Sequence, residues 1–201
     1  MSASRRLFLA APALVLLPRP LWSDSSAIGT TVSLAGKASL ARVSAVMDLH
    51  PADPLMEGDT VTVGASSTAV LELFTATLIN LGPEARLVLD RFTADLGGVI
   101  TIGGPVVFDR AEDLPKLDLT VQNAFAQIGV RGTRFFAGPS KGVYGVFVAR
   151  GSVEVTAGGA TRRLGPGDGV DIAAPGAAPS AVAHWKAPRI AAAFASVGLT
   201  P

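Results

Sequence analysis

Cysteine is absent from all 201 residues. Disulfides, thiolate metal sites and a cysteine nucleophile are thereby excluded, and the absence fits an oxidising compartment. Histidine is nearly as scarce, with only His50 and His184, far apart in the chain. Neither has a carboxylate at metal-ligand spacing, so both read as surface or capping residues. Charged residues make up only 16% of the chain, against 49% hydrophobic ones, a balance that excludes a disordered chain. Neither Gly-x-Ser-x-Gly nor a phosphate-binding loop occurs. No cofactor is expected.

What is present begins with a leader. Arg5 and Arg6 precede Leu7, Phe8 and Leu9, and an apolar stretch runs from Ala10 to Leu17. The small residues Ser25 and Ala27 follow, at the spacing of a signal-peptidase site. Residues 1–27 therefore read as a signal peptide cleaved after Ala27, and the expected location is the periplasm. The Arg5-Arg6-x-Phe8-Leu9 order resembles a twin-arginine export signal, with Ala10 where that signal often has a lysine. Beyond it, no apolar stretch reaches the roughly 20 residues that cross a bilayer. Without the leader, 14 basic side chains face 15 acidic ones. So balanced a domain offers no field for nucleic acid.

From Ile28 onward the pattern is one of short strands. Thr31–Leu34 and Ala38–Val43 flank Gly36, while Ser67–Phe74 places Ala69, Leu71 and Leu73 on one face. Asp48–Asp59, with Pro51, Pro54 and Gly58, reads as a loop. Asp109–Lys116 reads as a charged insertion in which Asp109, Glu112 and Asp113 surround Arg110, solvated or at most a weak cation site. About a dozen strands at this spacing, without βαβ alternation, predict an all-β sandwich or solenoid over residues 28–182. The tail, residues 183–201, holds the one helical pattern, with Ile190, Ala193, Phe194 and Val197 on a common stripe. Glu57-Gly58-Asp59 and Pro166-Gly167-Asp168 echo each other as tight turns.

The run Gln127-Ile128-Gly129-Val130-Arg131-Gly132-Thr133-Arg134-Phe135 resembles the signature of FecR-type periplasmic domains. The surrounding order resembles that family too: the Gly29-x-x-Val32 strand, the Gly58-Asp59 turn, and a Val146–Val155 hairpin with Gly151 at its turn. The resemblance implies a segment joining two halves of a β-domain. Gly129 and Gly132 are then expected to supply unusual backbone conformations, Arg131 and Thr133 to bond nearby backbone or a carboxylate, and Phe135 to be core. Two departures stand out. Thr75-Ala76 occupies the place of an Asp-Gly turn, and a leader stands where regulatory members carry an anti-sigma segment and a membrane helix. The expectation is a non-catalytic, exported module that binds another envelope protein. The alternative is an envelope carbohydrate-binding module or hydrolase. That would need aromatic platforms, and beyond the leader the chain offers Tyr144 and Trp185.

Overall fold

The computed structural model describes residues 27–201 apart from 74–75, 94–96, 112 and 115–117. The first half of the chain forms β1 (Gly29–Ala35), β2 (Ala38–Arg42), β3 (Ala45–Asp48), β4 (Pro54–Leu55), β5 (Thr60–Val63), β6 (Thr68–Leu73), β7 (Thr77–Leu81) and β8 (Arg86–Thr93). Then come β9 (Gly97–Gly103), β10 (Val106–Arg110), β11 (Asp118–Gln122), β12 (Gln127–Ser140), β13 (Val143–Ala157), β14 (Ala160–Leu164), β15 (Asp168–Ile172) and β16 (Ala183–His184). One helix, α1 (Ala187–Ala195), follows. The fold is all-β.

The strands join into one continuous sheet in the order β3-β2-β5-β8-β9-β11-β12-β10-β7-β6-β1-β4. The strand β13 branches from β12 and carries β14 and β15. Every described pairing is antiparallel except β9 with β11. The first part of β12 pairs with β11 and with the end of β13, and its second part pairs with β10 and the start of β13. The β12–β13 hairpin is thus shared by the two parts of the sheet that pack on the main core. A solenoid would stack its strands by repeat, and this path does not.

Alternation explains most of the strands. In β6, Ala69, Leu71 and Leu73 are buried while Thr68, Val70 and Glu72 are half-buried, as expected for a strand with one face on the core. The centre of the hairpin is different, because both of its faces are covered. Val106, Phe108, Phe135, Ala137, Val146 and Val148 enter the main core. Their neighbours Val107, Phe136 and Phe147 form a second core with Trp185, Phe194 and Val197. The tail supplies that cover. Its helix covers only part of the 183–201 tail, and Trp185 is seated beside β16 and ahead of α1.

Three turns share one design. In His50–Asp53, Met56–Asp59 and Gly165–Asp168 the fourth residue's amide donates to the first residue's carbonyl, at 3.2, 3.1 and 3.0 Å. The third residue has positive φ each time: Ala52 (70°), Gly58 (87°) and Gly167 (85°). Positive φ at that position, with proline second in two cases, marks a type II turn. Each Asp carboxylate then accepts the amide of the first residue, at 2.7 Å from His50, 2.7 Å from Met56 and 3.0 Å from Gly165. The echo between Gly58-Asp59 and Gly167-Asp168 is therefore structural. Asp59 is fully buried, and Arg42 binds both of its oxygens, through Nε at 2.8 Å and Nη2 at 2.7 Å.

Two expectations are corrected here. The segment Asp48–Asp59 is no simple loop, because Pro54 and Leu55 pair with Thr30 and Gly29. Gly151 makes no hairpin turn either. It lies inside the continuous strand β13, and the reversal falls at Lys141-Gly142, where φ is 55° and 79°.

Candidate functional site

The signature residues sit together in β12, at a double irregularity. Arg131 pairs with Ser152 and Arg134 with Arg150, so Gly132 and Thr133 face Gly151 alone. Two residues against one is a β-bulge, which bends the strand and increases its twist. The next step, from Arg134 to Phe135, skips Ala149 on β13 and restores the count. Gly132 has φ 56° and Gly151 φ 79°, the left-handed region that favours glycine. Gly129 does not use this freedom, since it lies in regular pairing with Glu154 and Thr120. Phe135 is fully buried and stacks on Phe108, with centroids 5.0 Å apart. Thr133 is fully buried too, yet its hydroxyl has no hydrogen-bond partner among the described residues. Its methyl group instead faces the space left open by Gly151. The side chain of Arg131 lies outside the described residues.

Beside the bulge the structure corrects the reading of Asp109–Lys116 as one solvated insertion. Asp109 and Arg110 end strand β10. Asp109 lies opposite Arg134 in register and takes ion pairs from Arg134 Nε at 3.3 Å and Arg150 Nη2 at 2.8 Å. Arg150 also donates to the Arg110 carbonyl at 2.8 Å. Arg110 is buried and donates to Thr77 Oγ1 at 3.0 Å, and burial pulls its pKa below the ordinary guanidinium value. Asp109 is thus committed to arginines and Asp113 is exposed, while Glu112 lies outside the described residues. No group of three potential metal ligands occurs among the described residues. Both histidines belong to the Asp-bearing turns: His50 Nδ1 is 3.6 Å from Asp53, and His184 Nδ1 is 2.9 Å from Asp168.

The aromatic platforms required by the carbohydrate reading are not supplied by Tyr144 or Trp185. Tyr144 is 4% exposed and Trp185 8%. Trp185 stacks on Phe147 at 5.2 Å, with the Arg189 guanidinium 3.5 Å above its ring. Both rings are occupied by the protein itself.

A site that periodicity did not reveal lies at the sheet's end. The strand β3 is terminal in the strand order, and all four of its residues are exposed. Val46 is 74% and Met47 43% exposed. The preceding turn carries Val43, fully exposed and at φ 54°, where a β-branched residue is an outlier. Among the described residues strand β3 pairs with β2 alone, from Ser39 opposite Asp48 to Arg42 opposite Ala45, and its outer edge is open. The only signal in the sequence is a short run of apolar residues, Val43, Ala45, Val46 and Met47, with no alternation.

The other sheet ends are guarded. Strands β4 and β16 have two residues each. Strand β14 carries Arg162 and Arg163, the latter 3.7 Å from Glu154. Charged or very short edges resist pairing with another chain, whereas an apolar, exposed edge invites it.

The export-signal residues Arg5, Arg6, Phe8 and Leu9 lie outside the described residues. Ala27, the expected cleavage residue, is half-buried, and the amide of Ile28 donates to the Leu55 carbonyl at 2.7 Å. Of the Thr75-Ala76 pair only Ala76 is described, with φ 58°.

Residues 59–154 match the family model described as FecR protein. Two crystal structures of a candidate anti-sigma factor from Parabacteroides distasonis ATCC 8503 are similar in fold, with TM-scores of 0.53 and 0.52 at 19% and 18% identity. Each match covers 64% of this chain and 60% of the other, so the chain spans less than two thirds of their length. No curated protein matches.

Proposed function

We propose that this chain, which carries a FecR domain over residues 59–154, is an exported, non-catalytic module that holds another envelope protein by strand addition along β3. The observation that carries this reading is the open β3 edge, with Val46 and Met47 exposed beside Val43. A partner strand laid there would complete the backbone hydrogen bonds of the edge, and Val46 and Met47 would gain apolar contacts. The family match, together with the regulatory description of the two structural neighbours, supports a signalling role in the envelope. The leader residues Arg5 to Ala27 support delivery to the periplasm.

The test is a crosslinking pulldown of the tagged chain from the periplasm, repeated with Val46→Lys and Met47→Lys. Both side chains are exposed, so the variants should keep a folding stability within about 0.5 kcal/mol of the native chain. The expected result is one envelope protein captured by the native chain and lost from both variants. Capture that survives both lysines rejects the β3 edge as the binding surface. An empty pulldown at native expression rejects the partner role.

A further inference from the structure

Where β12 turns into β13, a cavity of about 350 Å³ opens. The strand β9 supplies Ile102 and the backbone of Gly103, the turn after β11 supplies Asn123 and Phe125, and β13 supplies Val143 and Tyr144. No Asp, Glu, Lys, Arg or His lines it. The volume lies at the low end of the roughly 300–1,000 Å³ range of small-molecule pockets, which are mostly apolar with a few fixed polar groups.

The polar part is held rigidly. Asn123 Oδ1 accepts the amides of Phe125 at 2.7 Å and Ala126 at 2.8 Å. Its two acceptor positions are thereby used, which orients the amide so that Nδ2 donates to the Tyr144 hydroxyl oxygen at 2.9 Å. Tyr144 therefore accepts from Asn123 and keeps its own proton to give, and no described residue takes it. Burial raises the phenol pKa, so the group stays a neutral donor. Phe125 stacks on Tyr144 with centroids 4.6 Å apart and rings 11° from parallel, so Phe125 covers one face of Tyr144 and is itself part of the cavity lining.

We propose that this cavity binds a small neutral compound with one planar ring and one hydrogen-bond acceptor, the ring against Phe125 and the acceptor on the Tyr144 hydroxyl. The Phe125 ring favours a flat ring by stacking. A charged ligand would lose its hydration and find no counter-charge. An acceptor is favoured because binding without one strips the Tyr144 proton of water and replaces it with nothing. The site is remote in sequence and in element from β3, so it stands or falls independently of the partner reading.

The experiment titrates the full ¹⁵N-labelled chain with acetophenone and with ethylbenzene, two probes of like shape that differ in a carbonyl. Saturable shifts are expected at the amides of Gly103, Gly104 and Gly142, with acetophenone about fivefold to tenfold tighter, the yield of one net hydrogen bond. In Tyr144→Phe, which keeps the ring, the two probes should bind alike. Ala173→Trp, at an exposed position on the rim, should abolish both without altering the melting temperature. Absence of saturable shifts with either probe, shifts confined elsewhere, binding that persists in Ala173→Trp, or a carbonyl preference that survives Tyr144→Phe overturns the proposal.

Discussion

A side chain at Gly151 would collide with the Gly132 carbonyl oxygen and with Thr133. Its backbone also sits at φ 79°, so even an alanine is disfavoured twice, by strain and by contact. Gly132 shares the left-handed backbone but faces open space, and Gly129 has neither restriction. Gly151→Ala is therefore expected to cost about 2 kcal/mol or more, from the usual size of strain and overpacking penalties. Gly129→Ala should stay within about 0.5 kcal/mol. Denaturant unfolding of both variants decides the matter, and equal midpoints would remove the bulge as the reason for these glycines. From sequence, Gly129, Gly132 and Gly151 looked alike as breakers of regular structure. Glycine signals an unusual backbone without saying which kind, so an in-strand bulge at Gly151 was readable as a hairpin turn. Phe135 was legible as core because a large aromatic side chain is usually buried.

At the scale of elements, legibility follows the number of covered faces. Strand β6 alternates because one face meets the core, and it was readable. Strand β10 was missed because Val106, Val107 and Phe108 are all buried, two in the main core and Val107 beneath the tail. A strand buried on both sides loses the two-residue period. Strand β3 was missed for the opposite reason, since neither of its faces is covered. The candidate edge is thus the part of the molecule that a search for amphipathic pattern passes over. The tail was legible as a helix, and the structure gives that helix its purpose. Trp185 lies over Gly145 and Gly169, where any side chain would strike its ring. Phe194, fully buried, meets Phe147 edge-on at 6.3 Å and carries the Arg134 guanidinium 5.0 Å from its ring. Arg189 ties the helix to Asp171 and Ser140. Phe194→Ala should then cost about 3–5 kcal/mol, the range for truncating a buried phenylalanine. A melting temperature within a degree of the native value would mean that the tail is only laid on the sheet.

For the whole molecule, topology and the proposed leader bear on one another. Strand β1 pairs with β4 and β6, while the lobes are joined through β12 and β13 far along the chain. Most of the sheet cannot close until the second half of the chain is available, which puts its folding among the slower, non-local kind. A slowly closing β-chain with exposed strand edges is at risk of aggregation during transit. Export after folding avoids that exposure. With no cysteine to oxidise, the sheet can close fully in a reducing cytoplasm. The Arg5-Arg6-x-Phe8-Leu9 order fits such a route, because that address is read on proteins that cross already folded. Arg5→Lys with Arg6→Lys keeps the charge of the leader and removes the guanidinium pair. Cell fractionation should find the native chain in the periplasm and the double variant retained in the cytoplasm, folded and resistant to protease. Normal export of the variant would assign the leader to the general secretory route. The chain would then cross unfolded and close its sheet in the periplasm, where the β3 edge would be open to the proposed partner from the start.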